Sequence, residues 1–164
     1  MAEVVWLDDV HAPAEWVIRL RGKRPYQLAE MAPDILRRVM KVQTKNIFEL
    51  DIRWDLTGDP RTFYGYWEGH RTEDQWTRTT LKITIQGEQS AADGTGTAHV
   101  RVRGVIATRY PYHNFIQRTF WWFYNRFFYY QQRRNYLFKT KDEILQMREI
   151  MLRTFGVNEE EVSR

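Results

Sequence analysis

From Ile47 to Tyr110 the chain alternates apolar and polar residues in four runs joined by short turns, and no feature constrains its fold more. Ile47–Asp55 sets Phe48, Leu50, Ile52 and Trp54 against Glu49, Asp51, Arg53 and Asp55. Thr62–His70 is dense in aromatics, Gln75–Gln86 carries Leu81, Ile83 and Ile85 on one side, and Thr95–Tyr110 does the same with Val100, Val102 and Ile106. Turn formers separate the runs at 56–60 and at Ala92-Asp93-Gly94. A period of two places successive side chains on opposite faces, so these segments predict an antiparallel meander with one dry and one wet face.

The flanking segments supply the rest. Residues 1–14 read as an arm or short strand with a turn at Ala12-Pro13, and residues 15–21 read as a strand with Trp16, Ile18 and Leu20 on one face. Pro25 suits the first position of a helix. Pro33 lacks an N–H and clashes with the preceding turn, so two short helices are expected, 25–31 and 33–42, the second turning Ile35, Leu36, Val39 and Met40 inward. Asn114 with Gln117 and Thr140 with Glu143 are capping-box patterns that open helices at about 115–138 and 141–155, with Gly156 as the stop. The second carries Ile144, Met147, Met151 and Phe155 on one stripe. The expectation is a single α+β domain over 15–156, with a frayed tail at 157–164: a meander of about five strands, packed on one face by a helix pair and a long aromatic C-terminal helix.

That element order, across residues 15–138, is similar to the helix-grip plan of START and polyketide-cyclase-like domains. The resemblance implies a hydrophobic ligand cavity beneath the long helix. It is one of element order, and no functional residue is carried over.

Charge and aromaticity concentrate together. Nine of the 25 Lys and Arg lie between Gly94 and Lys141, where there is no Asp or Glu, leaving 16 basic against 21 acidic groups elsewhere. Projected at helical spacing, 115–138 gathers Ile116, Phe120, Phe123, Tyr124, Phe127, Phe128 and Phe138 on a broad face expected to fill a concave sheet or line a cavity. Tyr64, Tyr66, Trp67, Tyr110 and Tyr112 are candidate polar contacts to a ligand there, with Arg109 or Arg118 at the rim for an anionic head group. The opposite face alternates charge and ring: Arg118, Trp122, Asn125, Arg126, Tyr129, Arg133 and Tyr136. Its pairs Arg118–Trp122, Trp122–Arg126 and Tyr129–Arg133 have cation–π spacing. This stripe either packs beneath the final helix or arm, or docks a partner. Arg101, Arg103, Arg126, Arg133 and Arg134 are candidate contacts to an anionic partner, and the wet sheet face (His99, Arg101, Arg103, Arg78, Lys82) suits a phosphate backbone.

Several function classes fall away. With no cysteine, disulfides, thiolate zinc sites and thiol chemistry are excluded. His11, His70, His99 and His113 show no metal-ligand spacing, nucleotide and hydrolase fingerprints are missing, and Ser90 and Ser163 are poor nucleophile candidates. Glu68 and His70 share a strand face, the one acid–base pair worth noting. No cofactor is called for. The N-terminus lacks a signal-peptide pattern and no window is long and apolar enough to span a bilayer, so a cytoplasmic protein is expected. Three functions stay open: binding an apolar or amphipathic anionic small molecule between sheet and helix, binding RNA through the basic 94–141 region, and docking a protein through Trp122, Tyr129 and Tyr136.

Overall fold

A computed structural model describes residues 2–10 and 16–155. The expected turn at Ala12-Pro13, the Gly156 stop and the tail lie outside the described residues. Strands β1 (Ala2–Asp9) and β2 (Trp16–Lys23) lead into helix α1 (Gln27–Met40) and a single 3-10 turn. Strands β3 (Ile47–Asp55), β4 (Arg61–Thr72), β5 (Thr77–Gln89) and β6 (Thr95–Tyr112) follow, then helices α2 (Phe115–Phe127) and α3 (Tyr130–Phe155). The class is α+β, as the alternation dictates.

The four central strands form the meander, and the 18-residue β6 is long enough to take two partners along its other edge. Its first half pairs β2, with Trp16 opposite Val102, and its second half pairs β1, with Ala2 opposite Tyr112. The sheet is therefore six-stranded and antiparallel, with β3 at the far edge.

Helices α1 and α3 cover one face. Leu81, Ile83, Ile85, Val100, Val102 and Ile106 of the sheet are fully buried against Leu28, Leu36 and Met40 of α1 and Ile144, Met147 and Met151 of α3. The core-facing residues of β4 alternate large and small, Phe63-x-Gly65-x-Trp67-x-Gly69. A Cβ on Gly65 would strike the Trp67 indole, and one on Gly69 would strike the Met40 sulfur. The glycines thus let a tryptophan lie flat along the strand and α1 approach closely.

Three expectations give way. Pro33 sits inside a continuous α1 rather than between two helices. Its interior position costs about 3 kcal/mol, and burial of Leu28, Ile35, Leu36, Val39 and Met40, at roughly 1.5–3 kcal/mol each, outweighs that. A bulge between Glu49 and Asp51 breaks the clean alternation of β3. It turns Glu49 inward, within 3.4 Å of the Trp67 indole nitrogen, and puts Phe48 on the opposite face beside His70. Last, the helix break falls at Phe128–Tyr129, not near Lys139. The amides of both residues donate to the Tyr124 carbonyl, while Thr140 is buried mid-helix and donates its hydroxyl to the Tyr136 carbonyl.

Candidate functional site

Helix α2 begins as its sequence predicts. Asn114 Oδ1 accepts from the Gln117 amide at 2.8 Å, and Gln117 Oε1 accepts from the His113 amide at 2.8 Å. The orientation is the reverse of the expected one. Ile116, Phe120, Phe123 and Phe127 recur at spacings of four, three and four, so they stack on one face, and that face points into solvent. They are 79%, 56%, 49% and 63% exposed, and Phe115, Trp122, Phe128 and Phe138 are exposed with them. At about 200 Å² per ring, the exposed rings of α2 and Phe128 present roughly 700 Å² of apolar surface, more than the largest patch of a typical monomer.

The other side of α2 reaches the sheet through hydrogen-bonding aromatics. Trp121 stacks on Tyr110 with centroids 4.7 Å apart and planes 11° off parallel, and its indole N–H donates to the Pro111 carbonyl at 2.9 Å. Asn125, only 4% exposed, accepts from the Tyr110 hydroxyl at 3.2 Å. Just past the break, Tyr129 is 6% exposed, and its hydroxyl meets Thr77 Oγ1 at 2.7 Å and donates to Asp74 Oδ2. Asp74 accepts as well from Tyr136 at 2.9 Å and from the amides of Trp76 and Thr77 at 2.8 and 2.9 Å. Burial alone would raise its pKa, but these donors, Tyr129 foremost, hold the carboxyl below its usual range. Burial and Asp74 push the Tyr129 hydroxyl well above the ordinary phenol range. Arg133 forks onto Asp8 of β1 at 2.5–2.8 Å. Tyr129, Arg133 and Tyr136, which the sequence left open between packing and docking a partner, are therefore the hooks that fix α2 and α3 to the sheet, and of the stripe's three rings Trp122 alone stays exposed.

The pocket candidates disperse. Trp67 is core, Tyr110 is buried under Trp121, and Tyr124 is half-buried in the same cluster. Tyr64 and Tyr66 lie on the face of the sheet away from the helices, as do Arg101, Arg103 and Arg109. Arg118 sits 6.0 Å from the Tyr112 ring, and Arg134 lies 5.8 and 5.4 Å from Tyr130 and Phe138; these replace the expected cation–π pairs. The basic stretch thus divides between two surfaces, with Arg118, Arg126 and Arg134 flanking the exposed aromatics and Arg101, Arg103 and Arg109 on the bare sheet.

On that bare face, Tyr64, Tyr66, Lys82, Thr84, Arg101 and Arg103 line a shallow groove of about 220 Å³. Beside it Glu68 accepts from Tyr66, from Lys82 at 2.9 Å and from His70 Nε2 at 3.0 Å. Burial would lift this carboxyl, but the three donors outweigh it and hold it at about 2. Arg78 donates to His70 Nδ1, so both imidazole nitrogens are engaged, and the ring has no free base for the acid–base role its spacing suggested. On the helix side, Arg71 bridges Glu73 (2.6 Å), Glu143 (2.5 Å) and the last carbonyl of α1, Met40 O (3.0 Å), tying β4 to both helices. No group of three metal-ligating side chains occurs among the described residues.

Sequence reasoning missed Asp8, Asp74, Trp76 and the inward role of Asn125. Asn125 was the available signal, since a poor helix former amid an aromatic run needs a partner for its amide.

No family model and no curated protein matches the chain. Among solved structures, a protein of unknown function from Staphylococcus aureus aligns over 87% of this chain and 93% of its own, at 12% identity and TM-score 0.28. A putative uncharacterized protein from Rhizobium leguminosarum aligns over 91% and 99%, at 10% identity and TM-score 0.20. Scores that low place the chain in no family.

Proposed function

We propose that this protein binds the surface of anionic lipid bilayers, with α2 lying in the interface plane. The observation that carries the proposal is the outward stripe of Ile116, Phe120, Phe123 and Phe127 on a helix whose opposite side is anchored to the fold. Trp122 and Tyr130 flank it, at the positions where rings with one polar end favour the headgroup level. Arg118, Arg126 and Arg134 border it, and no acid occurs in the whole helix. Basic and aromatic side chains on an amphipathic helix are the chemistry of binding to anionic lipid.

The competing readings are weaker on the same observations. The sheet–helix interior is filled by fully buried side chains, which leaves the amphipathic ligand of the sequence reading better met at a surface than in a cavity. Two copies packed α2 against α2 would bring their arginines together without an acid to offset them. No helix among the described residues is long and apolar enough to cross a membrane, so insertion is shallow.

Vesicle co-sedimentation tests the proposal, using phosphatidylglycerol–phosphatidylcholine vesicles against phosphatidylcholine alone. The protein should pellet with the anionic vesicles, less so at high salt, and Phe120→Ser with Phe123→Ser should weaken partitioning at least tenfold. Removing two rings from lipid costs about 1 kcal/mol or more each even when half inserted. A protein that stays in the supernatant and instead dimerises through α2, or binds RNA through the bare sheet, overturns the lipid assignment.

A further inference from the structure

Between β1, α2 and α3 lies an open hollow of about 440 Å³, lined by Trp6, Trp122, Asn125, Arg126, Tyr130 and Arg133. We propose that it binds the phosphate-ester head group of a single anionic lipid, an inference that rests on α2 as the lipid-docking helix and names what it recognises.

The lining has a built polar floor. Asn125 is 4% exposed, its carbonyl oxygen is taken by the Tyr110 hydroxyl, and its side-chain N–H groups have no partner among the described residues. Asn125 lines the hollow, so this amide nitrogen can donate to an acceptor seated there. Arg126 has no partner among the described residues either, so its guanidinium is available as the cation. Arg133 differs: its fork onto Asp8 neutralises it and makes it a fixed wall. The hollow therefore offers one net positive charge and an amide donor. That suits a phosphate mono- or diester and repels a cation.

The rings complete the fit. Trp6, Trp122 and Tyr130 wall the site and shield the ester carbons from water, and Trp122 continues into the exposed stripe of α2. A head group seated here would leave its acyl chains beside Phe123 and Phe127. The volume falls within the range of small-molecule sites.

Titration calorimetry, with tryptophan fluorescence on the same samples, tests this using sn-glycerol 3-phosphate and dihexanoyl phosphatidic acid below its micelle concentration. Saturable one-to-one binding is expected, at least tenfold weaker in Arg126→Gln and kept for glycerol phosphate in the Phe120→Ser, Phe123→Ser protein. Tighter binding of the short-chain lipid identifies lipid as the source of the phosphate, and equal affinity identifies a free phosphate ester; either supports the pocket. Absence of saturable binding, or affinity unchanged by Arg126→Gln, overturns it. If vesicles still bind in that case, the pocket fails and the α2 assignment survives. Glycerol-phosphate binding without vesicle binding gives the converse.

Discussion

Replacing Tyr129 with Phe removes one oxygen from a buried junction. That oxygen lies 2.7 Å from Thr77 Oγ1 and donates to the Asp74 carboxylate. A hydrogen bond to a charged acceptor contributes about 1.5–3 kcal/mol. The low end applies here, because Asp74 keeps Tyr136 and two amides, and Thr77 Oγ1 keeps Thr108 at 3.1 Å. The expected loss is about 1.5–2 kcal/mol, which for a chain of this size lowers the melting temperature by roughly 3–8 °C. Tyr129→Ala also empties the ring site and should cost about 3–5 kcal/mol. Urea denaturation at pH 7, followed by tryptophan fluorescence with an unchanged m-value, reads both. If Tyr129 faced a partner, the other reading its spacing left open, Tyr129→Phe would change stability by less than about 0.5 kcal/mol. That result would refute the buried junction and with it the orientation of α2.

Three further outcomes follow from the packing. Arg71→Met leaves Glu73 and Glu143 buried without their shared cation and should destabilise by about 3–5 kcal/mol in denaturant titration, with partial recovery when Glu143→Gln is added. Gly65→Ala drives a methyl into the Trp67 ring and should cost about 1–3 kcal/mol, whereas an alanine at the open, exposed turn residue Gly58 should cost much less. Glu68 is held at about 2 in the fold against its ordinary value of 4.5, so its contribution is complete above about pH 4.5 and disappears as pH falls through 2. Asp74 and Glu73 titrate in the same direction, so the test is the difference between the wild type and Glu68→Gln, which should narrow as pH drops from 5 to 2.

The sheet was legible in the sequence because a period of two leaves little choice. The inward sets of β5 and β6 are those the alternation names, and the stripe Ile144, Met147 and Met151 packs as its spacing requires. The β3 bulge was not legible, since Phe48, Leu50, Ile52 and Trp54 satisfy perfect alternation on paper and only pairing with β4 shows the extra residue. The aromatic helix is the instructive failure. Its apolar stripe was identified residue by residue, but hydrophobicity says that a face avoids water, not what covers it. The direction was decided by the polar atoms of the other face, through Asn125 on Tyr110, Tyr129 on Asp74 and Arg133 on Asp8. Those partners lie 15, 55 and 125 residues away, beyond any local pattern.

The chain has no cysteine, so a spin label placed by Phe123→Cys reports one site only. Its accessibility to oxygen and to a water-soluble relaxation agent, with and without anionic vesicles, tests the docking of α2 most directly. The label should move from an aqueous to a lipid environment on vesicle addition, while one placed by Thr80→Cys on the bare sheet stays aqueous. A label at 123 that remains in water while the protein is vesicle-bound, or one at 80 that enters lipid, would contradict α2 as the membrane-facing surface.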